Sequence, residues 1–545
     1  MNVETLSRIQ FALTIAFHFL FPPMSIGLGL VLVIIQGLRL RTGNPIYLVM
    51  ARFWTRIFGL IFAIGVATGI PMEFQFGTNW ARYARFVGDI FGSPLAIEGI
   101  YAFFLESGFL ALLLFGWNKI GPRMHFFSTC MVALGAHFSA IWILVANSWM
   151  QTPAGYHLAK QIKVAANGQQ FPMNADIGNV AFTIHETALP ADYVVRPEDL
   201  HQVRAVVDSI YSAILNPSTL DRLAHTVFAC WITGAFLVIA VSAWWLLRGR
   251  NIDSARASLK IGLFVAVISC LLQMQAADST ARGVARFQQT KLAAIEGLSQ
   301  SQTEAPLGVV GFARWKRNAE GQIIGVTTTA IRIPGMLSIL VSGNFLHPIA
   351  ASETKVAGLD SLPSDEFLHR RHPGASVAEL KTIRPSYWPN VPALFQTYHL
   401  MIALGMALTG IALLGFLLWA TGKLWNTQLK TIRAFLWLLV VSAILPQIAT
   451  QAGWFTAEMG RQPWIVYQVL KTNEAMSAVV KAPQILSSII LFSLIYLLLG
   501  ILFLILFVKF VQQGPLADET GGTLVERWQP LSLKAGRQTI GKFKE

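Results

Sequence analysis

Charge is scarce in this chain: of 545 residues only 13% are Asp, Glu, Lys or Arg, while 54% are hydrophobic. That balance excludes an ordinary soluble protein of two or three domains and points to the bilayer as solvent. Cysteine is scarcer still. Cys130, Cys230 and Cys270 all fall in apolar stretches without metal-ligand spacing, so they read as small core residues. No solenoid or transporter-type repeat and no low-complexity tract is evident. Nor is a cleavable leader, because the first apolar segment is too long, lacks a basic start and runs into a basic loop.

Long apolar runs are abundant. Each of nine is about 20 residues, enough to cross a hydrocarbon core of about 30 Å as a helix. They lie near residues 12–36, 57–76, 94–116, 126–147, 226–247, 259–276, 393–420, 434–450 and 485–508. The net charge of +14 raises nucleic acid as a partner, but the basic residues sit in short connections between spans, where they set membrane orientation. Arg39, Arg41, Arg52 and Arg56, then Lys119 and Arg123, then Arg248, Arg250, Arg256 and Lys260, mark cytoplasmic loops. Lys423, Lys430 and Arg433 continue the alternation, and Lys509, Arg527, Lys534, Arg537, Lys542 and Lys544 fill the tail. The prediction is an all-α integral membrane protein with about nine transmembrane helices, the N-terminus outside and the C-terminus cytoplasmic.

Two outer connections, 150–222 and 278–391, exceed the length of ordinary loops, and the second mixes strand-like and helix-like patterns. The expected division is 1–277 for six spans, with an outer insertion at 150–222, then 278–391 as an outer loop. Residues 392–510 hold three further spans, and 511–545 form a cytoplasmic tail.

An ionisable side chain within a membrane helix costs roughly 2.5–3.5 kcal/mol on insertion scales, so each one present needs a partner or a task. His18, Glu98, Glu106, His137, His225, His399 and Glu458 all fall in or beside spans. Histidine and methionine are the usual axial ligands of low-spin haem, which makes a haem protein the natural candidate. Taken singly, any of these histidines is more often a hydrogen-bonded core residue. Glu98 and Glu106, eight residues apart, are separated by about 12 Å along a helix and roughly 80° around it, a spacing suited to steps of one proton route.

Several runs together resemble subunit I of the cytochrome bd quinol oxidases. They are SRIQFALTIAFHFLF at 7–21, GIPMEFQFGTNWARY at 69–83, GDIFGSPLAIEGIYAFFLES at 88–107, WILVANSWMQTPAGY at 142–156 and GWFTAEMGRQPW at 453–464. GRQPW after a membrane helix is the most diagnostic. The resemblance implies that His225 and Met401 ligate a low-spin haem b (b558-type). It implies that His18, with Glu98 and Glu458, serves a high-spin haem b (b595-type) and a haem d or further b-type haem. Glu106 with Ser139 matches the family's cytoplasmic proton route, Arg461 the arginine that balances haem propionates, and Trp464 a residue beside it that binds cofactor or packs. Lys291 and Glu296, in QQTKLAAIE, match positions near the quinol site, beside the bland alternative of a solvated helix with an approximate i, i+5 charge pair.

By the same resemblance, quinol (ubiquinol or menaquinol) is oxidised outside, and dioxygen is reduced with protons taken from the cytoplasm of a bacterial inner membrane. A second large subunit and a small single-helix subunit are the implied partners. One departure stands out: His399 occupies a position where many members carry arginine. Residues 157–222 align with nothing in the family pattern. The competing class is a transporter or channel, in which buried Glu and His pass ions without a redox centre.

Overall fold

A computed structural model describes residues 2–178 and 180–515. Among these, nine helical spans are long and apolar enough to cross a membrane: Val3–Thr42, Pro45–Thr78, Gly88–Phe115, Pro122–Gln151, Thr219–Leu247, Ile252–Phe287, Val391–Ala420, Lys430–Met459 and Ala482–Gln513. The basic tail residues beyond 515 lie outside the described residues.

Every span outruns its apolar run, because polar end turns remain helical. The sixth, expected over 259–276, is an unbroken helix of 36 residues. His225, just before the expected run 226–247, lies well inside Thr219–Leu247, and His399 lies inside Val391–Ala420. Glu458 belongs to the last turn of the eighth span instead of following it.

Three spans are interrupted, and two of the interruptions fall at candidate residues. The first breaks after His18 and resumes at Phe21, where Pro22 and Pro23 have no N–H to donate but suit a helix start. The third takes a π-helical turn over Glu98–Phe103, a local unwinding often found at functional sites. The eighth breaks between Lys430–Val441 and Ile444–Met459.

Lipid tails are as apolar as leucine, so close backbone approach, more than apolar burial, joins spans. Gly27 of the first span lies directly on Cys230 and Gly234 of the fifth, where a Cβ would overlap backbone. Around that crossing pack Leu28, Val31, Trp54, Phe58, Phe236 and Ile239, all fully buried. The ninth span stays at the periphery against the first and second. The fifth packs on the sixth, the sixth on the seventh, and the eighth on both the seventh and the fifth, so these four close a ring.

Both long connections are ordered, and both carry sheet that the all-helical reading omitted. In the first, β1 (Tyr156–Ala165) pairs antiparallel with β2 (Gln170–Pro172), β3 (Phe182–Ala188) and β4 (Val203–Val207). This sheet seats Leu158, Val203 and Ala205 on Tyr83, Phe86 and Ile90, and Asp89 accepts from the Val207 amide. In the second, β5 (Leu307–Arg317) and β6 (Ile323–Ile333) form a hairpin against the seventh span. A short pair, β7 (Trp464–Val466) and β8 (Leu470–Lys471), follows the eighth span. At the opposite end, basic side chains lie over aromatic rings: Arg39 and Arg52 over Trp117, Arg256 and Lys260 over Trp425.

Candidate functional site

The histidines separate by what their ring nitrogens already do. His137 uses both: Nδ1 donates to the Ala133 carbonyl at 2.7 Å and Nε2 accepts from Trp231 at 2.9 Å. His125 likewise meets Gln36 at 2.9 Å and the Leu113 carbonyl at 3.2 Å. These are satisfied core residues. His18 is engaged only through Nδ1, 3.0 Å from Thr68 Oγ1, with no hydrogen bond to Nε2 among the described residues. Gly69 lies beneath this ring, where a Cβ would stand 3.2 Å from Cε1. At His225 the Gln273 amide sits 3.1 Å and 3.2 Å from the two ring nitrogens, favouring neither, and Gln273 Oε1 has no partner. His18, with one ring nitrogen unengaged among the described residues, and His225, engaged only by the Gln273 amide, are the two that the family pattern selects.

Met401 faces Gly453 across the seventh and eighth spans, its sulfur 2.9 Å from where a Cβ on Gly453 would be. The fifth and seventh spans thus bring His225 and Met401 into one helical ring. Imidazole and thioether are a fitting donor pair for low-spin haem.

At the loop end of this ring is a buried polar cluster. Glu458 accepts from Asn147 at 2.8 Å, from Gln151 at 3.4 Å and from Arg461. Lys291 donates to Gln151 at 2.6 Å and to Gln288 at 2.8 Å, and Arg222 reaches Gln288 at 3.3 Å. Burial pushes the Lys291 ammonium well below its ordinary range, as does Arg222, while Glu458 opposes them. Three basic groups therefore share Glu458, with Asp221 beside Arg222 as the other acid. Arg461 Nε and Nη1 and Arg222 Nε are buried without partners. A buried, unpaired guanidinium donor is costly, so this cradle calls for an anion, and carboxylates of the size of haem propionates meet that need. Thr152, Asp221, Arg222, Thr280 and Gln288 line a small cleft beside it. The residues present fit haem.

The carboxylates of the third span address one face of the fourth. Ser139 donates to Glu98 at 2.6 Å, whereas Glu106, buried, lies on Gly135, one turn away. Sequence reasoning paired Ser139 with Glu106; the π-helical turn brings Glu98 to it instead. Glu73 of the second span acts electrostatically on Glu98 and was not singled out, since an isolated carboxylate carries no spacing signal.

Lys291 and Glu296 are not a solvated charge pair. Both are buried and point to different partners from the short helix Gln289–Ile295. Glu296 Oε2 takes the Gly308 amide at 3.4 Å, and the Tyr398 hydroxyl is placed to donate to the same carboxylate. Burial raises this carboxyl to about 7, against the pull of Gly308, Tyr398 and Arg332. His399 binds the same glycine from the other side, Nε2 lying 3.2 Å from the Gly308 carbonyl and Nδ1 2.8 Å from that of Phe395. The residue that departs from the family pattern thus straps the hairpin to the seventh span. Trp464 packs in an aromatic stack with Tyr387 and Phe367, under Arg371 at 4.5 Å from its ring centre.

An apolar bundle that holds imidazoles above an arginine cradle defines an integral membrane cytochrome. Residues 6–515 match the family described as cytochrome bd terminal oxidase subunit I, and the chain belongs to it. It is 34% identical to cytochrome bd-II ubiquinol oxidase subunit 1 of Escherichia coli (strain K12), over 95% of this chain and 98% of that one. It is 32% identical to cytochrome bd ubiquinol oxidase subunit 1 of Bacillus subtilis (strain 168), over 94% of each. The bd oxidase structure from Geobacillus thermodenitrificans superposes with a TM-score of 0.73 at 25% identity, covering 94% of this chain and 99% of that one. The transporter reading falls with this membership.

Proposed function

We propose that this chain is the haem-carrying subunit of a quinol:oxygen oxidoreductase of the bacterial cytoplasmic membrane. In this reading the ordered connections face outward and the basic end faces the cytoplasm, in keeping with the clustering of Arg39, Arg52, Arg256 and Lys260 there. Residues 1–277 and 392–510 form the haem-holding bundle, 278–391 the quinol loop and 511–545 the cytoplasmic tail. A second large subunit, and a small single-helix one, complete the enzyme.

The observation that carries the proposal is the cradle of unpaired Arg461 and Arg222 donors on the ring that holds His225 and Met401. His225 and Met401 hold the low-spin haem b, and Arg461 binds its carboxylates. His18, Glu98 and Glu458 face the high-spin pair, a haem b and a haem d or further haem b. Bound haems supply the electron path and the open iron position at which dioxygen is reduced to water.

The chain's own residues manage protons and orientation. Glu296, buried beside Tyr398 and with a titration point near neutrality, accepts a proton from the quinol head group. Lys291 joins the quinol side to the Glu458 cluster through Gln151. Glu106 and then Glu98, held by Ser139, hand protons inward from the cytoplasmic side along one face of the fourth span. Protons released outside and consumed from inside generate a proton-motive force without a pump. The purified complex, given reduced ubiquinone or menaquinone in an oxygen electrode, should consume dioxygen and lose this activity in His18→Ala. Absence of quinol-driven oxygen uptake in the unaltered complex overturns the proposal.

A further inference from the structure

Residues 344–350 of the second connection, NFLHPIA, are exposed throughout, although three of them are large and apolar. Phe345 is 51% exposed, Leu346 89% and Ile349 83%. Side chains left this bare in a well-packed protein mark a surface that something apolar covers. Their position identifies it. The preceding helix Met336–Ser342 packs on the sixth span and ends at Gly343, which abuts Arg282: a Cβ there would stand 2.7 Å from Arg282 Nη1. Arg282 pairs with Asp278 one turn back, and the exposed large apolar side chains of that span on either side of this pair are Met274 and Phe287. At a rise of 1.5 Å per residue, the run leaves the span about 12 Å beyond Met274 and about 8 Å short of Phe287. It therefore sits at a level where the span still presents apolar side chains on both sides, not beyond its apolar surface.

The backbone of the run is suited to such a place. Its Asn344 amide donates to Ser342, Asn344 Oδ1 accepts from the His347 amide, and the Ala351 amide returns to the His347 carbonyl at 2.9 Å. These bonds fold the run into a turn whose apolar side chains are exposed. The root of the hairpin repeats the pattern on the neighbouring seventh span. Gly308 is tied to His399, next to the exposed Leu400, and Val310, Ile331 and Ile333 are 59%, 71% and 47% exposed. Arg332 lies between the two isoleucines and Arg286 ends the sixth span, both exposed, in position for anionic headgroups.

We propose that residues 344–350 and the root of the β5–β6 hairpin seat the second connection in the adjoining leaflet of an anionic phospholipid bilayer. The loop is thereby held at two points beside the sixth and seventh spans, with Phe345, Leu346 and Ile349 at the boundary between headgroups and acyl chains. The test uses the whole complex in bilayers of phosphatidylglycerol and phosphatidylcholine, with a nitroxide attached to Leu346→Cys, Ile349→Cys or, at the hairpin turn, Glu320→Cys. Leu346, Ile349 and Glu320 are exposed, so these variants fold, and labelled unaltered complex gives the background from the native cysteines. Labels at 346 and 349 should meet dissolved oxygen severalfold more readily than a water-soluble nickel chelate, with the reverse at 320. Nickel access at 346 equal to that at 320 places the run in water and overturns the proposal. Exclusion of both reagents overturns it too, by showing that a protein partner covers the run.

Discussion

Gly453→Ala should dislodge the low-spin haem while leaving the bundle intact. The added methyl would lie 2.9 Å from Met401 Sδ, about 0.6–1.1 Å inside ordinary contact. Because the clashing atom is the far end of a flexible side chain, repacking costs about 1 kcal/mol, the low end for added core volume. The bundle tolerates that shift, but a metal ligand does not: bond lengths at such sites hold within about 0.2 Å. Met401 must therefore move several times that tolerance, or leave the iron. The control is Gly405→Ala on the seventh span, which carries Met401, where a Cβ meets nothing within 4 Å. Reduced-minus-oxidised difference spectra and a redox titration read the outcome. The low-spin band of Gly453→Ala should fall by more than half, and its midpoint should drop, since thioether ligation raises the potential. A band and midpoint matching those of Gly405→Ala would refute the assignment of Met401.

Three other outcomes follow from the same geometry. In the unaltered enzyme, kcat/KM for quinol should rise with pH through about 7, because Glu296 accepts a proton only when ionised. Glu296→Gln should lower kcat/KM about a hundredfold and flatten that rise at constant haem content; an unchanged profile sinks the role. Lys291→Met removes the ammonium that donates to Gln151 and Gln288, whose oxygens keep the Gln288 amide and Arg222 as donors, and should weaken quinol oxidation while haem content holds, as pigment extraction and steady-state kinetics will show. Ser139→Ala removes the hydroxyl 2.6 Å from Glu98. A hydrogen bond to a charged group contributes about 1.5–3 kcal/mol, so oxygen turnover should fall about ten- to hundredfold without loss of haem; undiminished turnover removes Ser139 from the route.

The spans were legible because apolar length alone demands them, but their ends were not. The stretch DSTARGVARF reads as loop by charge, yet it continues the sixth span to Phe287 because tertiary packing sustains a polar helix. The same underestimate left His225 just outside the expected fifth run. Strand β1 went unread, since HLAKQIKVA alternates only loosely and its partners lie far along the chain. Of the site, the histidines stood out through family motifs, not through their own spacing; only geometry separates His18 and His225 from the satisfied His125 and His137. Gln151, Arg222 and Gln288 had no sequence signal beyond being polar near span ends, and Glu73 had none beyond its charge. Their importance arises from convergence in three dimensions.

The central claim is that this polypeptide holds iron porphyrin within the bilayer through His225 and Met401. The most direct measurement is the reduced-minus-oxidised absorption spectrum of the isolated complex, recorded beside His225→Ala and Met401→Leu. The account predicts haem bands in the unaltered complex and loss of the low-spin component alone in each variant. A colourless complex, or a low-spin component that survives in both variants, contradicts it.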